Sequence, residues 1–436
     1  MIQPSFLAMS LNASFTHSPQ LASHLPVDVV ADIVDHLAYD QQILKACSLI
    51  SRSWVHPTRV HLFNRTYVES EDDGALLSRF LQLLNDSPHI CAFVRQLVLA
   101  TSPGHRRYSS GARVAPSLLV DLLKHLPHLH TIEFCGVSFA GAQFESLAPA
   151  TFSLDHVAFT DVGIQGMDTA HDWTRIFSVF SCIKHLSIHT ELPHVHRLPP
   201  NLPASFVKIA ALTLKGITRP AIMLEFLSKI VKPGCLKSLD VAVLTPEHVS
   251  AFGSFVSTAG IGDRLQEVRL DLTKFHVRHQ RYPTEIPPPF WSSLQLAAVP
   301  SLQTITLATR LDDDASVTLS SICDVLAYAP PTIKHVNIAM SGAFRRVVSS
   351  EETLEEASFS GFTREVLVKL EEVVVTKFGE VESVVTDLRE ARCTGCRSEE
   401  EEMGEEMEQY IVASMPRLSK RGVLAFTPPL HSCKLS

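Results

Sequence analysis

The chain has no run of eighteen or more apolar residues, so the sequence offers no helix able to cross a bilayer. It has no surplus of basic charge either. Lys and Arg number 38 against 46 Asp and Glu, and no basic stripe stands out. An electrostatic footprint for nucleic acid is therefore missing. The nine cysteines are odd in number and lack the spacing of a disulfide framework, which predicts reduced thiols and a cytoplasmic or nuclear compartment. The first twenty residues lack a basic segment followed by an apolar core, which predicts no secretory signal.

Catalytic signatures are missing too. There is no His-Glu-x-x-His, no Gly-x-Ser-x-Gly and no phosphate loop ending in Gly-Lys-Ser/Thr. Gly260-Ile261-Gly262 lacks a third glycine and precedes a strand-like segment instead of following one. Cys393-Thr394-Gly395-Cys396 has the spacing of a zinc knuckle, but a structural site needs four ligands and no second pair is in view. His185, His189, His194 and His196 cluster in and after a strand-like segment, where surface imidazoles are expected and not a metal site. The expectation is a chain without catalytic residues, metal or cofactor.

What is present is enough apolar content to fold: 45% hydrophobic residues against 19% charged. Most of the formal charge of −8 comes from seven glutamates between 399 and 408, so the rest is nearly neutral. Like charges in a block repel, and a mobile acidic insertion near 393–409 is expected.

From residue 94 one frame returns: apolar, two variable, apolar, one variable, apolar. It reads Val94–Leu97–Leu99, Leu129–Ile132–Phe134, Leu154–Val157–Phe159, Ile183–Leu186–Ile188 and Ile209–Leu212–Leu214. It continues through Leu236–Leu239–Val241, Leu265–Val268–Leu270, Leu302–Ile305–Leu307, Ile333–Val336–Ile338 and Leu370–Val373–Val375. Each copy predicts a short strand with alternate residues inward. Amphipathic stretches such as Leu118–Leu126 precede many strands, and prolines including Pro88, Pro127 and Pro416 are placed to stop them. Trp173, Ile176, Phe177 and Phe180 read as one helical core stripe. Strand and helix alternating every thirty residues or so predict an α/β fold with parallel strands. The polar residues between the apolar positions imply one wet face, as on a curved solenoid. A tail over 1–20 and a long loop over 340–360 complete the expectation.

The first ordered segment spans residues 25–54. Pro26 lies at a helix start. Val27, Val30, Ile33, Val34 and Leu37 share a helical face by spacing. Ile43, Leu44, Cys47, Leu49 and Ile50 form a second apolar run before Trp54. So small a unit has too little interior for them all. It can cap the first repeat, or it can present the excess to another protein.

Leu25, Pro26, Asp28, Val29, Ile33 and Leu37, followed by Leu44, Leu49, Ser51, Arg52 and Trp54, resemble the F-box pattern in order, with Asp28 where Glu is more usual. The frame after it resembles an irregular leucine-rich repeat without the usual Asn. The resemblance implies a helical module over 21–68 and a repeat solenoid over 69–436, with parallel strands on a concave face and helices outside. It implies an adaptor of a cullin–RING ubiquitin ligase. A Skp-type partner would be held by Leu25, Pro26, Val29, Ile33, Leu37, Leu49 and Trp54. A target protein would be held by variable frame positions such as Glu133, His185, Asp240, Arg269, His335 and Asn337. The competing expectation is an interaction scaffold outside any ligase, in which the helices serve only as a cap.

Overall fold

The computed structural model describes residues 25–70, 75–101, 113–140, 152–165, 169–189, 207–217, 220–243, 245–258, 260–273, 290–311, 315–344, 346–347, 358–359, 364–393 and 400–427. The chain divides into two compact units, one formed largely by residues 1–195 and the other by residues 203–436. The expected tail over 1–20, together with His194, His196 and Cys396, lies outside the described residues.

The first unit opens with three helices, α1 (Val27–His36), α2 (Gln41–Cys47) and α3 (Arg52–Asn64). Asp40 caps α2, its carboxylate accepting the N–H groups of Gln42 at 2.9 Å and Ile43 at 3.0 Å. Val30, Val34, Leu44, Cys47 and Trp54 form the core of this bundle, with Leu25, Leu37 and Leu62 partly buried against it.

Helix α3 runs directly into β1 (Arg65–Ser70). Then come α4 (Ala75–Asp86), α5 (Pro88–Cys91), β2 (Gln96–Thr101), β3 (Arg113–Val114), α6 (Pro116–His125), β4 (Thr131–Cys135) and β5 (Ser138–Ala140). The unit closes with β6 (Phe152–Thr160), β7 (Gly163–Gln165), α7 (Thr169–Ser178) and β8 (Phe180–His189). Strands β1, β2, β4, β6 and β8 pair in that order, all parallel. Strands β3, β5 and β7 form a smaller parallel sheet.

The second unit holds β9 (Lys208–Leu214), α8 (Pro220–Ile230), β10 (Ser238–Ala242), α9 (Pro246–Ser257), β11 (Glu267–Asp271), β12 (Thr304–Leu311) and α10 (Ala315–Ala327). It continues through β13 (His335–Phe344), β14 (Arg346–Val347), β15 (Ser358–Phe359), α11 (Arg364–Lys377), β16 (Ser383–Cys393), α12 (Glu400–Ser414), α13 (Pro416–Lys420) and β17 (Leu424–Thr427). Its main sheet is again parallel in chain order, β9 to β13 and then β16 and β17.

The register explains why the frame repeats. Leu97, Ile132, Val157 and Leu186 sit side by side in one row, and Leu99, Phe134, Phe159 and Ile188 in the next on the same face. In the second unit the rows are Leu212–Leu239–Val268–Ile305–Val336–Val384 and Leu214–Val241–Leu270–Leu307–Ile338–Thr386. Apart from Thr386, which is buried too, these residues belong to the apolar core. Each strand adds a layer of apolar area that the neighbouring strands and the helices packed on that face cover. Trp173, Ile176 and Phe177 of α7 are buried as well, with the Trp173 ring 5.1 Å from that of Phe159. Phe180 is also buried but opens β8, so the helical stripe ends one residue group earlier than its spacing indicates.

Three expectations are corrected. Leu370, Val373 and Val375 lie in helix α11, not in a strand, because Leu367, Leu370 and Val374 share a buried face at helical spacing. The strand of that repeat is β16, with Val384 and Thr386 in the core rows. Of the expected acidic insertion near 393–409, Cys393 ends β16, residues 394–399 are outside the described residues, and Glu400 onward is helix α12, anchored by buried Met407 and Ile411. Pro88 and Pro416 follow the ends of α4 at Asp86 and α12 at Ser414, as expected, and they are also the first residues of α5 and α13, where a fixed φ and a missing N–H fit. The span 340–360 includes the end of β13 and the antiparallel pair β14–β15, with 348–357 outside the described residues. Several strands were not expected, among them the small sheet β3–β5–β7 and β1, where polar Thr66 stands in the row of Leu97 and so breaks the apolar frame.

Candidate protein-docking surfaces

Helix α1 is apolar over a wider arc than its bundle can cover. Val30 and Val34 face inward, yet Val27, Val29 and Ile33 remain exposed, Val27 to 61%. The same division occurs beyond α1. Leu44 and Cys47 are buried, whereas Ile43, Leu49 and Ile50 are exposed, Leu49 to 87%. Pro26 is exposed too. Of the residues the resemblance assigned to an adaptor contact, Pro26, Val29, Ile33 and Leu49 are thus outward, and Leu25 and Leu37 are half-buried on the bundle core.

Trp54 requires a correction. It is only 5% exposed and belongs to the bundle core, so its indole supports the module from inside and offers nothing to a partner. The carbonyl of Trp54 accepts the Thr58 hydroxyl at 2.8 Å, a side-chain bond one turn along the same helix α3. Val27, Ile43 and Ile50 were not singled out as contact residues. Their signal was present: each is apolar at a position the bundle's own packing leaves unused.

The strand faces carry the other candidates. In the first unit Glu133 lies on β4, with Arg65 Nη2 3.6 Å from its carboxylate. His185 on β8 stacks on His156 with centroids 4.9 Å apart, and the Ser187 hydroxyl lies 3.1 Å from His156 Nε2 and 3.4 Å from His185 Nε2. Burial lowers the His156 pKa, against the charge of Glu133 and with that of His189.

In the second unit Asp240, Arg269, Thr306 and Asn337 are register neighbours in one row. Lys215 Nζ is 3.1 Å from Asp240, and Asn337 Nδ2 donates to Thr306 Oγ1 at 3.3 Å. His335 stands in the adjacent row beside Ser383, its Nδ1 2.9 Å from the Ser383 hydroxyl. Sequence reasoning missed the far end of this face. Arg269, Asp271 and Thr273 on one side and Asp387 and Arg389 on the other line a cavity of about 430 Å³. Arg389 grips Asp387 through Nε at 2.9 and 3.0 Å, which holds the Asp387 carboxyl below its ordinary value; burial opposes, and the Arg269 charge contributes in the same direction as Arg389. Those two residues escaped notice because the frame in this repeat was placed on α11.

Among the described residues no cluster of three or more His, Cys, Asp or Glu has the geometry of a metal site, and no helix is long and apolar enough to cross a membrane. The chain matches no family model and no curated protein.

Proposed function

We propose that this chain is a substrate-recognition adaptor of a cullin–RING ubiquitin ligase, with an F-box at its start and an irregular leucine-rich-repeat solenoid after it. One observation carries the reading: the bundle α1–α3 already has a filled core, yet leaves Val27, Val29, Ile33, Ile43, Leu49 and Ile50 bare. Burying a large aliphatic side chain contributes roughly 1.5–3 kcal/mol, so such a surface is a strong site for an apolar groove on another protein. A Skp-type adaptor would occupy it. The polar strand faces would hold the target, raising its effective concentration beside the transfer machinery without any bond being made or broken by this chain.

The test is co-purification. The full chain, expressed in a eukaryotic host, is expected to retain a Skp-type adaptor and a cullin; a version lacking residues 21–68 is expected to lose both. If the intact chain brings down neither, the ligase reading is wrong.

A second reading, a scaffold outside any ligase, draws support from the continuity of the bundle with the array. Helix α3 leads without a linker into β1, Arg95 N–H donates to the Asn64 carbonyl at 3.0 Å, and the His56 ring sits 5.3 Å from Phe93. A cap of this kind protects the first repeat, so its removal would unfold or aggregate the array.

A further inference from the structure

The cavity on the strand face of the second unit has a specific construction. Its floor is Ala308 on β12 and Ala339 on β13, register neighbours whose short side chains leave the space open. In the same row Asp271 and Asp387 stand at the two ends. Both aspartates are tied to a residue two positions further along the chain. Asp271 Oδ1 accepts the backbone N–H and the hydroxyl of Thr273 at 3.0 and 2.7 Å, and Asp387 is gripped by Arg389. Asp240, just behind, has Lys215 at 3.1 Å.

Arg269 differs from all of these. Its side chain makes no hydrogen bond among the described residues and forms only a long ion pair, Nε standing 3.9 Å from Asp240 Oδ1, beyond hydrogen-bond reach. Its side chain is 40% exposed and lines the cavity. Asp240 is its one ion-pair partner, at a distance too long for a hydrogen bond, and Asp271 and Asp387 are held by Thr273 and Arg389, so the exposed part of this guanidinium still has donors to offer over the Ala308–Ala339 floor. A planar fork of N–H donors matches a carboxylate in two-point contact.

We infer that this cavity receives an acidic side chain, Asp or Glu, from an extended segment of the target, with Arg269 as its partner and the Ala308–Ala339 floor admitting its stem. This rests on the reading that the strand face holds the target. It is tested separately from adaptor binding.

The probe is a random peptide library displayed on phage, selected on the full chain and on the variants R269Q and A308L. Peptides from the wild type are expected to share an Asp or Glu position, and their synthetic versions to bind about tenfold more weakly to R269Q. A308L keeps every charge and fills the floor, so it is expected to lose the same peptides; an unchanged thermal midpoint checks that both variants are folded. Enrichment of basic or purely apolar peptides, no enrichment, or equal binding to all three proteins would overturn the inference. Acetyl-glutamate methylamide distinguishes the source of the carboxylate: if it alone binds as tightly as the peptides, the site is for a small acid and the peptide assignment fails. Retention of a Skp-type adaptor together with a failed selection would leave the adaptor reading standing and remove this one.

Discussion

Glu371 reaches across 47 positions to Leu418: its Oε1 accepts the Leu418 N–H at 2.9 Å, and the Arg417 N–H as well. The two donors are the first free amides of helix α13, so a buried carboxylate on one repeat caps the helix of the next. Glu371→Ala leaves both amides without this acceptor and is expected to cost about 1–3 kcal/mol. Glu371→Gln keeps an acceptor and is expected to lose less. Urea unfolding monitored by circular dichroism measures the difference, and limited proteolysis is expected to release the last helix and strand first in the alanine variant.

The bundle separates two kinds of apolar residue. Ile33→Asp and Leu49→Asp change exposed positions and are expected to abolish adaptor retention with the thermal midpoint of the chain unchanged. Trp54→Ala hollows the bundle core and is expected to cost about 3–5 kcal/mol. If the exposed variants unfold the chain as Trp54→Ala does, the bare surface is structural and the docking proposal falls.

The core rows predict a cost of their own. Ile305 is fully buried between Val268 and Val336, so Ile305→Ala is expected to remove about 2–5 kcal/mol. Thr306, the next residue, lies on the polar face, and Thr306→Ala is expected to stay within about 1 kcal/mol. Paired denaturation curves test the contrast.

Gly253 is needed for space. A Cβ there would lie 1.8 Å from the carbonyl oxygen of Ser293, in the turn packed against α9. Gly253→Ala forces helix and turn apart and is expected to cost about 1–3 kcal/mol, visible as a lowered thermal midpoint.

Asp387 gives a pH dependence with a definite sign. Its carboxyl is held below the ordinary value chiefly by the Arg389 hydrogen bonds, so it binds protons less readily folded than unfolded. The resulting stability is fully present above the unfolded carboxylate value, near 4, and is lost as pH falls through the lower folded value. Asp387→Asn is expected to flatten the acid limb of a stability–pH profile below about pH 4. An unchanged limb would show that the pair contributes nothing there.

Sequence alone determined nine of the layered strands and their inward residues, because burial of every second side chain imposes a period that one copy of the frame states and eight more repeat. It also showed more apolar side chains in residues 25–54 than a small bundle can hide. Tertiary packing decided which of them stay bare: Val30 and Val29 are adjacent and chemically identical, yet only the neighbouring helices make one core and the other surface. It decided as well that Leu370–Val375 is helical and that Asp387 and Arg389 face Arg269, since a short valine-rich run satisfies both periods and only long-range contacts choose between them.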